Sequence, residues 1–271
     1  MFTIAALLCC FGLPNGAIAQ GASGSGSQQE FHGSTSALPD APQPNSDEKA
    51  TVTLQGTPLS ILKDQAAIWT SPARIREGDL VWLVPLAAAT GVGIATDHHA
   101  MASVVTHDAG FNNTSVNASN VLFGGFIAAP VALYGMGYLK GNEHARETGL
   151  LSGEALVDGL VVDEAMKLVF RRERPLINNA RGHFFDGSVS DSSFPSTHSV
   201  LAWSSAAVMA GEYPSRWAQV GIYTMATGVS LTRVMGQEHF PTDVLVGSAA
   251  GWLIGHYIFR AHHRHGLLQS H

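Results

Sequence analysis

The sequence predicts an all-α protein: a helical bundle of about six core helices, with its functional site at helix ends on one side. Three observations carry this expectation. The hydrophobic runs are long and stop at polar or Gly/Pro breaks, as helices do, and none alternates like a strand. Charged residues make up 13% of the 271, about half the usual ~25% share, so the helices are apolar and closely packed. Between Lys167 and Asp243, basic groups, a hydroxyl, two histidines and a carboxylate recur at the ends of those helices.

The chain divides by composition. Residues 1–19 read as a secretory signal, with an apolar core over 3–13 and Ala17-Ile18-Ala19 as the cleavage pattern, although a basic leader is missing. Residues 20–53 are rich in Gly, Ser, Pro and Gln. They cannot bury enough apolar surface to offset chain entropy, so a disordered linker is expected. Residues 54–265 form the helical domain and 266–271 a tail. Both cysteines, Cys9 and Cys10, lie in the signal; once it is removed, disulfides, thiolate chemistry and Cys/His zinc spacing are excluded. A formal charge of −6 argues against a nucleic-acid partner.

Within the domain, residues 54–70 read as a short amphipathic helix capping the bundle. An apolar helix follows over 80–96. Asp97-His98-His99 then read as its solvated end rather than a metal site, because no further cluster has ligand spacing. Residues 98–117 are expected as polar loop, 121–139 as a second apolar helix and 140–146 as a polar connection. The helix over 147–170 differs in kind, since it carries Glu154, Asp158, Asp163 and Glu164, which suit a lipid-facing span poorly. Further helices are expected over 197–211, 216–235 and from Pro241 to about 262. On the last of these, Gly247, Gly251 and Gly255 form a stripe that lets another backbone approach. The histidines near the C-terminus read as a solvated end.

Three clusters carry chemistry. Lys167 and Arg174 lie two helical turns apart, and Pro175 places Arg174 at the helix end. A simple C-terminal charge cap explains that cluster equally well. Pro195-Ser196-Thr197-His198 opens a helix whose free N–H groups suit an anion. Ordinary capping accounts for Ser196 but not for His198, a titratable group placed to act as general acid. Arg233 ends one helix, while His239 and Asp243 open the next. A carboxylate four residues on can accept the N–H of one ring nitrogen and leave the other free to attack, or can serve only as an acidic N-terminal residue. Helix packing by itself does not require all three ends in this order.

The pattern K-x6-R-P, P-S-x-H, R-x5-H-x3-D resembles the type 2 phosphatidic acid phosphatase and vanadium-haloperoxidase superfamily over about residues 147–260. Two positions depart from it: Thr197 stands where the family usually has Gly, and Thr232 where it has Ser. The resemblance implies a metal-independent phosphatase acting on a phosphate monoester or lipid (pyro)phosphate, with no cofactor and with vanadate as an inhibitor. His239 would attack phosphorus to form a phosphohistidine, Asp243 would orient it, and His198 would protonate the leaving oxygen. Lys167, Arg174, Ser196, Thr197 and Arg233 would bind the phosphoryl oxygens. The alternatives are a vanadium-dependent haloperoxidase, with vanadate as cofactor, and an inactive structural membrane-helix protein.

Location has two readings. Arg74, Arg76, Lys140, Arg146, Arg216, Arg260 and Arg264 would all be cytoplasmic in a six-span topology with the N-terminus inside, whereas a cleaved signal places residue 20 outside. The expectation is an exported protein with its site on the periplasmic side, either soluble or inserted in the membrane.

Overall fold

The computed structural model describes Leu54 and residues 56–268, with side chains up to residue 262. The expected signal, the whole of the expected linker and the last three residues lie outside the described residues. Seven α-helices and no strand occur among those described, so the all-α expectation is borne out. They are α1 (Thr57–Thr70), α2 (Leu80–His99), α3 (Ala109–Lys140), α4 (Glu143–Phe170), α5 (Thr197–Glu212), α6 (Arg216–Met235) and α7 (Pro241–Leu268). Helices α2 to α7 run up and down. The C-terminal ends of α2, α4 and α6 meet the N-terminal ends of α3, α5 and α7 on one side.

Several boundaries differ from expectation, each for a local reason. The polar stretch before residue 117 is not all loop: Asp108 caps α3 by accepting the amide of Phe111 at 2.7 Å, and the helix starts at Ala109. The polar connection at 140–146 shrinks to two residues. Gly141 takes a left-handed conformation at φ 64, and Asn142 caps α4 by accepting from Ala145. The helix α7 continues to Leu268, so the boundary drawn at 265/266 falls inside it.

The closest packing is between α5 and α7, and the glycine stripe causes it. A Cβ on Gly251 would stand 2.1 Å from the Val200 carbonyl oxygen, and one on Gly255 equally close to that of Ser204. One apolar core joins Phe126, Ala202, Ala206, Met209, Ala226 and Val229 across α3, α5 and α6. A second joins Leu151, Ala155, Val162, Val208, Ile254 and Ile258 across α4, α5 and α7. Between α5, α6 and α7 the contact is polar: Ser230 bonds Ser199 at 2.9 Å and Ser248 at 3.0 Å.

Three acids of α4 face inward, while Glu164 is exposed. Glu154, Asp158 and Asp163 are buried, so the helix keeps Val157, Leu160, Val161, Leu168 and Val169 for its outer face. Helix α1 docks on this acidic face. Ser60 donates to Glu154, Gln65 donates to Asp158 at 2.7 Å, and Tyr257 of α7 donates to Asp64 at 3.0 Å. The outer faces of α3 and α6 are also apolar, with Leu139 82% and Trp217 87% exposed. Two helical stretches, 77–104 and 109–140, are long and apolar enough to cross a membrane. Gly251→Val should lower stability by about 1–3 kcal/mol or more through overpacking against α5. A lower thermal unfolding midpoint in detergent is the expected measurement.

Candidate active site

The site forms where α4, α6 and the N-terminal ends of α5 and α7 converge. Helix α4 ends at Phe170, and Arg171 turns the chain with a left-handed φ of 39. Lys167, one turn earlier, pairs with Asp163 at 3.1 Å and donates to the Thr197 hydroxyl. Thr197 in turn donates to Asp163 at 2.8 Å. Its side chain is therefore bound to α4. The Thr197 hydroxyl thus bridges Lys167 and Asp163 and holds Lys167 in place.

Ser196 occupies the N-cap position of α5, but its side chain makes no capping bond. Its hydroxyl is buried without a partner, and its amide donates to the Asp243 carbonyl at 3.1 Å. The expectation of an ordinary cap is thus corrected. The hydroxyl and the first-turn amides remain available to an anion. Thr232 keeps its hydroxyl, as expected, but donates it to its own helix at Gly228.

Arg174 and Arg233 face each other across Glu238. Arg174 donates to the Glu238 carboxylate at 3.0 Å and to Asp191 at 2.6 Å, and Arg233 reaches the same Glu238 oxygen at 3.2 Å. One carboxylate therefore bridges the two guanidinium groups expected to grip phosphate. Sequence reasoning missed Glu238, although its place beside His239 is a signal.

His239 is buried, and its Nδ1 lies 2.8 Å from the Ser193 carbonyl oxygen. The nearer Asp243 oxygen stands at 3.7 Å. The carbonyl fixes the tautomer with hydrogen on Nδ1, which leaves the Nε2 lone pair for attack. Asp243 acts on the ring from slightly farther away and also accepts the Phe240 amide at 2.8 Å. Burial pushes the His239 imidazole below its ordinary value; Asp243 opposes this, while Arg233 and Arg174 reinforce it. His198, in the first turn of α5, lies 3.2 Å from the Asn120 side-chain oxygen, with its ring against Phe123. It is within electrostatic reach of Arg233, His239, Lys167 and Arg174. All the residues inferred for the site are brought together.

Arg172 is the largest omission of the sequence reading. Its side chain is buried, with Nη1 donating to Asp243 at 2.7 Å and Thr242 at 2.8 Å, and Nη2 to Asp97 at 2.8 Å. The guanidinium stacks on Phe240, 4.0 Å from the ring centroid. Gly182, at φ 61, brings its carbonyl to Nε at 3.3 Å, where a Cβ would strike the Phe240 ring. Asp97 is consequently no solvated helix end: it is buried because it faces this arginine. Elsewhere, Asp64, Glu154 and Asp158 bring three carboxylate oxygens within 4.8 Å of one another.

This arrangement has a counterpart among known proteins. Residues 148–267 match the family model of the PAP2 superfamily. That segment belongs to the PAP2 superfamily. Every site residue inferred from the sequence lies inside it. A lipid A 1-phosphatase of Porphyromonas gingivalis is 31% identical over 177 residues, which cover 64% of this chain and 36% of that protein. An undecaprenyl-diphosphatase of Bacillus subtilis is 32% identical over 124 residues, covering 45% of this chain and 62% of the relative. The chain thus spans only part of the length of these relatives. The crystal structure of a transmembrane PAP2 type phosphatidylglycerolphosphate phosphatase from Bacillus subtilis aligns over 77% of this chain and 97% of that one, at 19% identity and a TM-score of 0.45.

Two outcomes follow from the geometry of the PAP2 site. An NMR titration of His239 should place its midpoint below the ordinary value of about 6.5, because burial disfavours the imidazolium. Glu238→Gln should tighten orthophosphate binding by roughly fivefold, about 1 kcal/mol, since the anion no longer competes with a carboxylate for Arg174 and Arg233. Calorimetric titration checks it.

Proposed function

We propose that this protein is a membrane-embedded, metal-independent phosphatase that hydrolyses a lipid phosphate or pyrophosphate through a phosphohistidine at His239. The observation that carries the reading is the buried His239, with Nδ1 held by the Ser193 carbonyl, Arg174 and Arg233 around it, and Lys167 acting on the neighbouring His198. In the first step the Nε2 lone pair attacks phosphorus. The P–O bond to the leaving group breaks, and the leaving oxygen takes a proton from His198. In the second step His198 takes a proton from water, whose oxygen attacks phosphorus and breaks the P–N bond. Orthophosphate leaves and both histidines return to their starting state. The three cations, the Ser196 hydroxyl and the α5 amides stabilise the charge that develops on the equatorial oxygens, the work a metal ion does in other phosphatases.

The relatives' names, a lipid A 1-phosphatase and an undecaprenyl-diphosphatase, support a phosphate carried by a lipid. So do the outward apolar faces of α2, α3 and α6, which suit acyl chains better than water. In a six-span arrangement Lys140, Arg146, Arg216 and Arg260 lie at or near the helix ends away from the site. The positive-inside rule then puts His239 on the outer, periplasmic side. That topology starts α2 on the inner side, whereas a cleaved signal would place residue 20 outside.

The experiment is a panel of lipid phosphates, lipid pyrophosphates and water-soluble monoesters, assayed in detergent with and without chelator. The expected result is chelator-resistant turnover of a lipid substrate and an acid-labile phosphoenzyme. His239→Ala should abolish both, and His198→Ala should slow turnover by about 10²–10⁴-fold, the usual worth of a positioned general acid. Full turnover by His239→Ala would sink the mechanism.

A further inference from the structure

The buried polar network around Arg172 reaches beyond the PAP2 segment. Asp97 belongs to the last turn of α2, about fifty residues before the matched region begins. It is nevertheless almost wholly buried against that region. One of its oxygens accepts from Arg172 at 2.8 Å and from the Thr242 hydroxyl, and the other from the Thr242 amide at 3.3 Å. Arg172 and Thr242 form the next layer. Arg172 donates to Asp243 and to the Thr242 hydroxyl, and its plane rests on Phe240, the residue after His239. Asp243 then accepts the Phe240 amide. Residues 240, 242 and 243 are thus each held, directly or through one guanidinium, by a carboxylate on another helix. Helix α2 comes close enough because Gly93, one turn earlier, lets its backbone pass against the Thr242 side chain.

We propose that Asp97 is a positioning residue for His239. Together with Arg172 and Thr242 it fixes Asp243 and the turn that carries the nucleophile. The proposal rests on His239 being that nucleophile. It explains why an apolar helix carries a buried carboxylate at this depth. Without Asp97, Arg172 would be drawn wholly to Asp243 and could rotate it away from the imidazole. Asparagine at this position would aim an N–H at a donor on Arg172 or Thr242, so the loss would not be silent.

The groups facing His239 are Asp243 on α7, Arg233 on α6, Arg174 after α4 and His198 on α5. None of them binds Asp97. A change at Asp97 should therefore act on geometry and on the charge behind Asp243, and leave phosphate binding alone. The test compares Asp97→Asn, Thr242→Val and Thr242→Ser in full-length protein in detergent, each first checked for cooperative unfolding. For Asp97→Asn and Thr242→Val, kcat should fall by about ten- to a hundredfold, since a misplacement of about 1 Å at a reacting group costs on the order of 10²-fold. KM and the inhibition constant of orthophosphate should stay within about twofold. Thr242→Ser, which keeps the hydroxyl, should restore most of kcat.

Loss of one negative charge behind Asp243 should also move the NMR titration of His239 to lower pH in Asp97→Asn. An unchanged kcat in a folded Asp97→Asn protein, or a loss carried by KM, overturns the proposal. If wild-type protein turns over no phosphate ester, the phosphatase reading fails instead. The titration then decides separately, and an unmoved His239 midpoint in Asp97→Asn refutes the positioning role. If Asp97→Asn does not fold, Thr242→Val against Thr242→Ser decides by the same split.

Discussion

The approach of α5 to α7 governs the rest of the structure. Three glycines, Gly247, Gly251 and Gly255, strip one face of α7 of side chains, and the α5 backbone lies directly on it. The two helices start side by side, and the Ser196 amide bonds the Asp243 carbonyl where they begin. This single contact joins the anion-binding end of α5 to the turn that carries His239. Packing energy spread along about four helical turns of α5 thereby fixes the relation between the N-terminal end of α5 and His239. Bulkier side chains on the stripe would push the helix starts apart and enlarge the cradle from below.

A second constraint is charge inside the bundle. Arg172 is buried with carboxylates on two sides, and removing one partner from such a set costs about 3–5 kcal/mol, because the remaining charge has no water to turn to. The network thus welds α2 to α7 and to the loop after α4. The acids of α4 follow the same logic at the other end. Ser60, Gln65 and Tyr257 meet Glu154, Asp158 and Asp64, which is why α1 sits where it does.

The helices and the site residues were legible in the sequence for one reason: their signals are local. Long apolar runs, Pro241 at a helix start and the charged ends of α4, α5, α6 and α7 each declare themselves within a few residues. The missed features need a partner far along the chain. Arg172 reads as one more cation at a helix end until Asp97 and Asp243 are known to lie on either side. Ser193 is a loop serine whose relevant atom is its carbonyl oxygen, which has no sequence signal. Residues 109–117 are polar because they lie near the site end of α3, and polarity by itself reads as loop. Three of the acids of α4 that weigh against a membrane span, Glu154, Asp158 and Asp163, point inward, while Glu164, nearer the site end, is exposed.

Glu238 gives the cradle an unusual resting state. Its carboxylate already spans Arg174 and Arg233, so these cations are not waiting in an open field. An arriving phosphate exchanges with an ion the protein carries with it, and Glu238, about a third exposed, has somewhere to go. Capture is then a swap of one anion for another. The gain is the difference between two ion pairs, and the local field changes little as the ligand enters. Release runs the same swap backwards, with the glutamate returning as the anion departs. A site built this way gives up some tightness of grip and gains ease of emptying.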